Sequence, residues 1–122
     1  MYYLGLDVGS SSVKAALVEA KSGKSIQSVH EPKNEMSISS LKNDWAEQDP
    51  NVWWKHTCTA IKRVCKESNI DPKKIISIGI SYQMHGLVIV DKNGEPLRDS
   101  IIWCDSRAVN IGNDSYEKLG KD

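Results

Sequence analysis

Phenylalanine is absent from the 122 residues, and no apolar run exceeds four residues, as at Leu87 to Val90. A membrane-spanning helix needs about 20 consecutive apolar residues, so the sequence offers no candidate for one. Cysteine is scarce. Three cysteines, an odd number with no CxxC pair, argue against a disulfide framework and match no zinc-site spacing. The opening Met1-Tyr2-Tyr3-Leu4-Gly5 has neither the basic region nor the apolar stretch of a signal peptide. These absences together predict a reduced, cytoplasmic protein. Net charge is missing too, with 16 Lys plus Arg against 16 Asp plus Glu. Binding to nucleic acid or to an anionic membrane usually selects for excess Lys and Arg, so neither is expected as the main partner. What is present is ordinary for a folded chain. Hydrophobic residues make up 39% and charged residues 26%, enough for a packed core and too apolar for disorder.

The first 30 residues alternate with period two. Leu4, Leu6 and Val8 fall on one side of a strand over Tyr2–Val8, with Asp7 near its end. Gly9-Ser10-Ser11-Ser12 is a turn, Val13–Glu19 a second strand, and residues 25–30 a third, so the chain opens as an antiparallel meander. Residues 31–43 are polar and aperiodic, a loop. Asp49 is placed to cap a helix and Pro50 to begin it, since the first helical N–H has no partner to lose. The helix is expected to run to about Ser68, with Trp53, Trp54, Cys58, Ala60, Ile61, Val64 and Cys65 on its core face. Residues 74–81, rich in isoleucine, read as a strand buried on both faces. Residues 87–90 and 95–103 read as strands of a hairpin with Asn93-Gly94 at its tip. A polar helical tail follows Asp105, and the chain stops at Lys121-Asp122 without a closing signal.

Two constellations carry chemistry. The first is Asp7 followed by Gly9, Ser10, Ser11 and Ser12. A carboxylate at a strand end beside a Gly/Ser turn suits phosphate and Mg²⁺: glycine lets the backbone approach an anion, and consecutive turn amides form a nest for it. Mg²⁺ keeps much of its water, so Asp7 would hold it mainly through water. There is no GxxxxGK[ST] and no GxGxxG. On spacing alone, a hairpin turn with an exposed Asp is the simpler reading. The second is Gln83, Met84, His85 and Gly86, just past the carboxyl end of the isoleucine-rich strand, where ligands bind in open α/β sheets. Gln and His match sugar hydroxyls and Met the C–H face. The residue types alone also fit a loop whose His caps a strand and whose Met fills the core.

Leu6-Asp7-Val8-Gly9-Ser10-Ser11-Ser12-Val13-Lys14-Ala15-Ala16 resembles the first phosphate motif of the actin, hexokinase and sugar-kinase superfamily. Ile80-Ser81-Tyr82-Gln83-Met84-His85-Gly86-Leu87-Val88 resembles the substrate motif of the FGGY carbohydrate kinases in the form typical of xylulose kinases, with Tyr82 where a small residue is usual. Trp45-Ala46-Glu47-Gln48-Asp49-Pro50 through Trp53-Trp54 is similar to the segment between those sites. Ile101-Ile102-Trp103-Cys104-Asp105-Ser106-Arg107 is similar to a later one, with Cys104 where Asn is more usual.

The resemblance implies an α/β, actin-like ATPase (ribonuclease H-like) fold whose mixed sheet opens with the meander. It implies that residues 1–122 form the N-terminal part of the first kinase domain, without the rest of that domain or the second. The implied reaction is ATP- and Mg²⁺-dependent phosphorylation of a sugar hydroxyl, D-xylulose to D-xylulose 5-phosphate, with ribulose, gluconate and fuculose as alternative substrates. Asp7 corresponds to the acid that positions Mg²⁺, and Gly9, Ser10, Ser11, Ser12 and Lys14 to ATP-phosphate positions. Gln83, Met84, His85 and Trp103 correspond to sugar-site positions. The general-base Asp would lie beyond residue 122, so this stretch alone would be inactive. A homodimer is among the assemblies open to the full-length enzyme. Asp105 and Arg107 are expected to form a salt bridge that holds their loop. The rival readings are a metal-dependent nuclease, which needs more clustered carboxylates than Asp7 offers, and a non-catalytic actin-like nucleotide-binding module.

Overall fold

The computed structural model describes residues 1–120. Strands β1 (Tyr2–Val8), β2 (Val13–Glu19) and β3 (Ser25–Glu31) form the predicted meander. A two-residue strand β4 (Glu47–Gln48) precedes helix α1 (Pro50–Glu67). A 3-10 turn, Pro72–Lys74, then leads into β5 (Ile75–Tyr82). After it come a short β6 (Ser100–Ile101) and helix α2 (Val109–Leu119). The main sheet has the order β3-β2-β1-β5, antiparallel within the meander and parallel between β1 and β5. β4 and β6 pair apart from it as a second small sheet. The chain-end reading at Lys121-Asp122 lies outside the described residues.

The alternation in β1 and β2 does what period two dictates. Leu4 and Leu6 on β1 and Val13, Ala15 and Leu17 on β2 are buried on one face, with Val29 of β3 beside them. That face is covered by α1, which packs on β2 and β3. Asp49 caps the helix as predicted, its Oδ1 accepting from Asn51 N at 2.9 Å, and Pro50 begins it. The covering stripe is Thr57, Ala60, Val64 and Cys65, at helical spacing. Trp54 does not belong to it. Its position turns away from the sheet and it is 69% exposed, while Thr57 takes a core place that its polarity hides, because its Oγ1 donates to the helix carbonyl of Trp53 at 2.8 Å.

Two further expectations are corrected. The isoleucine-rich strand extends one residue further at its end, through Tyr82, and it is not buried on both faces. It is the edge of the sheet, and Ile76, Ile78, Ile80 and Tyr82 are exposed because α1 packs on β2 and β3 at the other side of the sheet. Residues 87–90 and 95–103 do not form two strands. Leu87 bridges Ile101 singly, Val90 bridges Pro96, and only Ser100 and Ile101 enter a ladder. Pro96 has no N–H to extend the pairing. The turn itself is present: Asp91 Oδ1 accepts from Asn93 N and Glu95 N, and Gly94 takes φ 85°. Among the described residues, no helix is long and apolar enough to cross a membrane.

Candidate active site at the carboxyl ends of β1 and β5

The phosphate turn begins where β1 ends. Gly9 N donates to Ser12 O at 3.1 Å. A Cβ at position 9 would stand 3.1 Å from that carbonyl oxygen, closer than side chains normally sit, which explains the glycine. Each carbonyl of the serine run is engaged from within the protein. Ser10 O accepts from Gln48 Nε2 at 2.7 Å, Ser11 O from Met36 N at 2.8 Å, and Ser12 O from Gly9 N. In a trans peptide the C=O and the following N–H point in opposite directions. Holding the Ser10 and Ser11 carbonyls inward therefore turns the Ser11 and Ser12 amides outward. Among the described residues these amides have no partner, the condition for an anion nest.

Asp7 and Lys14 face each other across the β1–β2 ladder and pair at 3.0 Å, both about half exposed. Such an open pair contributes roughly 0–1 kcal/mol, so a more highly charged ligand can displace it. No group of three or more His, Cys, Asp or Glu side chains gathers among the described residues. Mg²⁺ needs only one or two carboxylates plus waters and phosphate oxygens, and not an all-protein cage, so a single carboxylate is compatible with it.

Because β5 runs parallel to β1, with Asp7 opposite Ser81 and Val8 opposite Tyr82, both strands deliver their ends to one edge. Gln83 N donates to Val8 O at 2.9 Å, tying the start of the second motif to the residue just before the phosphate turn. His85 adopts φ 63°, a left-handed conformation that a non-glycine residue holds only under local constraint. Leu87 exchanges backbone hydrogen bonds with Ile101 at 2.9 and 3.2 Å and so closes the loop. The loop borders a cavity of about 410 Å³ lined by Val8, Trp53, Tyr82, Gln83, Met84 and His85. Both polar atoms of the Gln83 amide are buried without a hydrogen-bond partner. A buried orphan amide costs roughly 1–3 kcal/mol, which makes it a natural receptor for a polar ligand group. Met84 is 63% exposed and does not fill the core.

Trp103 reaches the phosphate turn from elsewhere in the chain. Ile102, which is buried, anchors its segment, and Trp103 Nε1 donates to Ser10 Oγ at 3.2 Å. Behind it, Arg107 forms the expected pair with Asp105, Nη2 to Oδ2 at 2.6 Å and Nε to both oxygens at 2.9 Å. Its Nη2 also donates to buried Glu47 at 2.6 Å, and its guanidinium stacks 3.6 Å from the Trp45 ring centre. Glu47 takes a second hydrogen bond from Arg98. Arg107 and the Ala46 N–H hold the Asp105 carboxyl at about 2, against 3.8 for a free side chain. Arg107, and to a lesser degree Arg98, lower Glu47 also.

The structure thus places the Asp7–Lys14 pair, the Gly9–Ser12 turn with Trp103 against it, and the Gln83–His85 loop at the carboxyl ends of β1 and β5, while the cavity beside Gln83 is lined by neither the Asp7–Lys14 pair nor Trp103. Sequence reasoning gave no site role to Gln48 or Trp53. Trp53 lines the cavity, and Gln48 bonds to it; neither contact has a local pattern to announce it, since each is made across the fold.

Residues 2–122 match the FGGY family of carbohydrate kinases, N-terminal domain. The xylulose kinase of Staphylococcus epidermidis is 40% identical over 104 residues, which is 85% of this chain and 20% of that protein. Among solved structures, a xylulose kinase from Brucella ovis superposes with a TM-score of 0.87 at 33% identity, over 98% of this chain and 24% of that one. A gluconate kinase from Lactobacillus acidophilus superposes at 0.84 and 31%, over 96% and 22%. The chain therefore spans about a fifth to a quarter of the length of these relatives. A family match along nearly all its length and close superposition on solved sugar kinases place the chain, with its actin-like ATPase fold, in the FGGY family of carbohydrate kinases.

Proposed function

We propose that this chain supplies the sugar loop and the first phosphate turn of an ATP-dependent kinase that converts D-xylulose to D-xylulose 5-phosphate. One observation carries the reading. The phosphate turn and the Gln83–His85 loop stand side by side, joined by Gln83 N to Val8 O at 2.9 Å, and Trp103 Nε1 donates to Ser10 Oγ of the turn at 3.2 Å. A kinase must hold a phosphoryl group and a hydroxyl within bonding reach, and most of its catalysis is such positioning together with charge neutralisation.

In this reading the Ser11 and Ser12 amides and Lys14 take the transferring phosphate. Asp7 holds Mg²⁺ through water, and the ion would neutralise phosphate oxygens when bound. His85 and the orphan amide of Gln83 take sugar hydroxyls, and Met84 and Trp103 cover C–H faces. The γ-phosphoryl bond to ADP breaks as a new bond forms to the sugar oxygen, whose proton passes to a base. We assign that base to a part of the enzyme outside residues 1–122, and we take these residues as the N-terminal part of its first domain. On this reading the chain alone is inactive and the enzyme is cytoplasmic. Gluconate is the second substrate to test, because a gluconate kinase is among the similar structures.

The test is an ATP-coupled assay on the polypeptide of the whole reading frame, run beside residues 1–122 alone, with D-xylulose, ribulose, gluconate, fuculose and glycerol. Turnover of D-xylulose by the long polypeptide and silence from the short one is the expected result. Turnover of another sugar corrects the substrate. No turnover of any sugar overturns the kinase reading in favour of a nucleotide-binding module.

A further inference from the structure

Gln48 lies in β4, one residue before the cap of α1, and it is 4% exposed. Its amide spans two places at once. Nε2 donates to Ser10 O at 2.7 Å and to Ser37 O at 3.1 Å, and Oε1 accepts from Trp53 Nε1 at 3.0 Å. An indole N–H can only donate and a carbonyl can only accept, so the orientation of the amide is fixed by its partners. Only a carboxamide serves both. A carboxylate would keep Trp53 but face two carbonyl oxygens with no hydrogen to offer, and an alkyl chain would satisfy neither.

We infer that Gln48 is a positioning residue for both halves of the candidate site, acting through the Ser10 carbonyl on the phosphate turn and through Trp53 on the sugar cavity. Its hold on Ser10 O directs the Ser11 N–H outward, since the two belong to one trans peptide. Its hold on the indole sets the ring that forms a wall of the cavity beside Gln83, Met84 and His85. Gln48 touches neither ligand. It makes the geometry of one subsite depend on that of the other. The inference rests on the phosphate reading proposed above.

The test uses the polypeptide of the whole reading frame, labelled with ¹⁵N at serine and tryptophan and titrated with magnesium pyrophosphate. Wild type is expected to show saturable shifts at the Ser11 and Ser12 amides. Gln48→Leu and Gln48→Glu are each expected to weaken binding by about tenfold or more, because a Ser11 N–H no longer held outward loses its hydrogen bond to the charged phosphate. Gln48→Glu should keep the Trp53 indole N–H resonance near its wild-type position, and Gln48→Leu should move it. Val64→Ala, destabilised through the core and remote from the site, is expected to bind pyrophosphate as wild type does. Thermal melts confirm that each variant folds, and Gln48→Glu decides if Gln48→Leu does not. Gln48 variants that bind like wild type, or lose no more affinity than Val64→Ala, overturn this inference alone. A wild type that does not bind pyrophosphate overturns the phosphate reading and this inference with it.

Discussion

Arg107 joins parts of the chain that the sequence keeps far apart. It satisfies Asp105 beside it and Glu47 some way upstream, and it lies over Trp45. Removing it leaves the Asp105 carboxylate, 3% exposed, without its main partner. Breaking a buried pair from one side typically costs 3–5 kcal/mol, so Arg107→Ala should lower stability by about 3 kcal/mol in urea unfolding. Acid probes the same contact. The Asp105 carboxyl is depressed in the folded state, from 3.8 to about 2. Its contribution is complete above pH ~4 and is lost as pH falls toward ~2, for a change of up to about 2 kcal/mol. Wild type should lose that stability over this interval, and Arg107→Ala should lose markedly less. The pair was legible in the sequence because its members are two residues apart. Glu47, the third member, was not, because nothing local links residue 47 to residue 107.

At the scale of elements, the sequence was most readable where a period repeats. β1, β2 and α1 follow from alternation, helical spacing and the Asp49-Pro50 start, and all are found within a residue of their expected bounds. Asp49→Ala should cost about 1 kcal/mol through loss of the cap. The helical wheel failed at its margin. Val64 is fully buried and Trp54 is exposed, although both were placed on one arc. Val64→Ala should therefore cost about 2 kcal/mol, from lost burial and the cavity left behind. Trp54→Ala should change stability by less than about 0.5 kcal/mol. Equal losses in chemical unfolding would mean that the two faces of α1 had been wrongly told apart. The β4–β6 pairing went unread because two residues cannot display a period. Residues 87–90 were over-read, because an apolar run specifies burial without specifying a ladder.

For the whole molecule, the sheet is covered unevenly. α1 protects β2 and β3, whereas β5 offers Ile76, Ile78, Ile80 and Tyr82 to solvent and has a free edge. Its alternation of Ile76, Ile78, Ile80 and Tyr82 with Ser77, Gly79 and Ser81 marks one apolar face, and a pattern cannot state which residues cover that face. An apolar edge strand is a template for pairing. Residues 1–122 in isolation should associate as concentration rises, and Ile78→Lys should suppress this. Light scattering that reports a monomer at all concentrations would refute the expectation. The site was partly legible at this scale: both motifs were found, and the strand-end rule placed the second. The join between them, through Trp53 and Gln48, depends on tertiary contacts with no sequence signature.

The two neighbours of β1 reach it on different schedules. β2 needs only residues 9–12 to turn back, whereas β5 must wait for residues 9–74 to close into a loop. The longer closure costs about 2 kcal/mol more in chain entropy, and pairings so distant in sequence form late. The phosphate turn is thus born with the first hairpin, while the sugar loop arrives only when β5 docks. In pulse-labelling hydrogen exchange, amides of β1 and β2 should gain protection before those of β5. Destabilising the β1–β5 ladder should therefore unmake the sugar side first and leave the phosphate turn standing as a separate, earlier unit of folding.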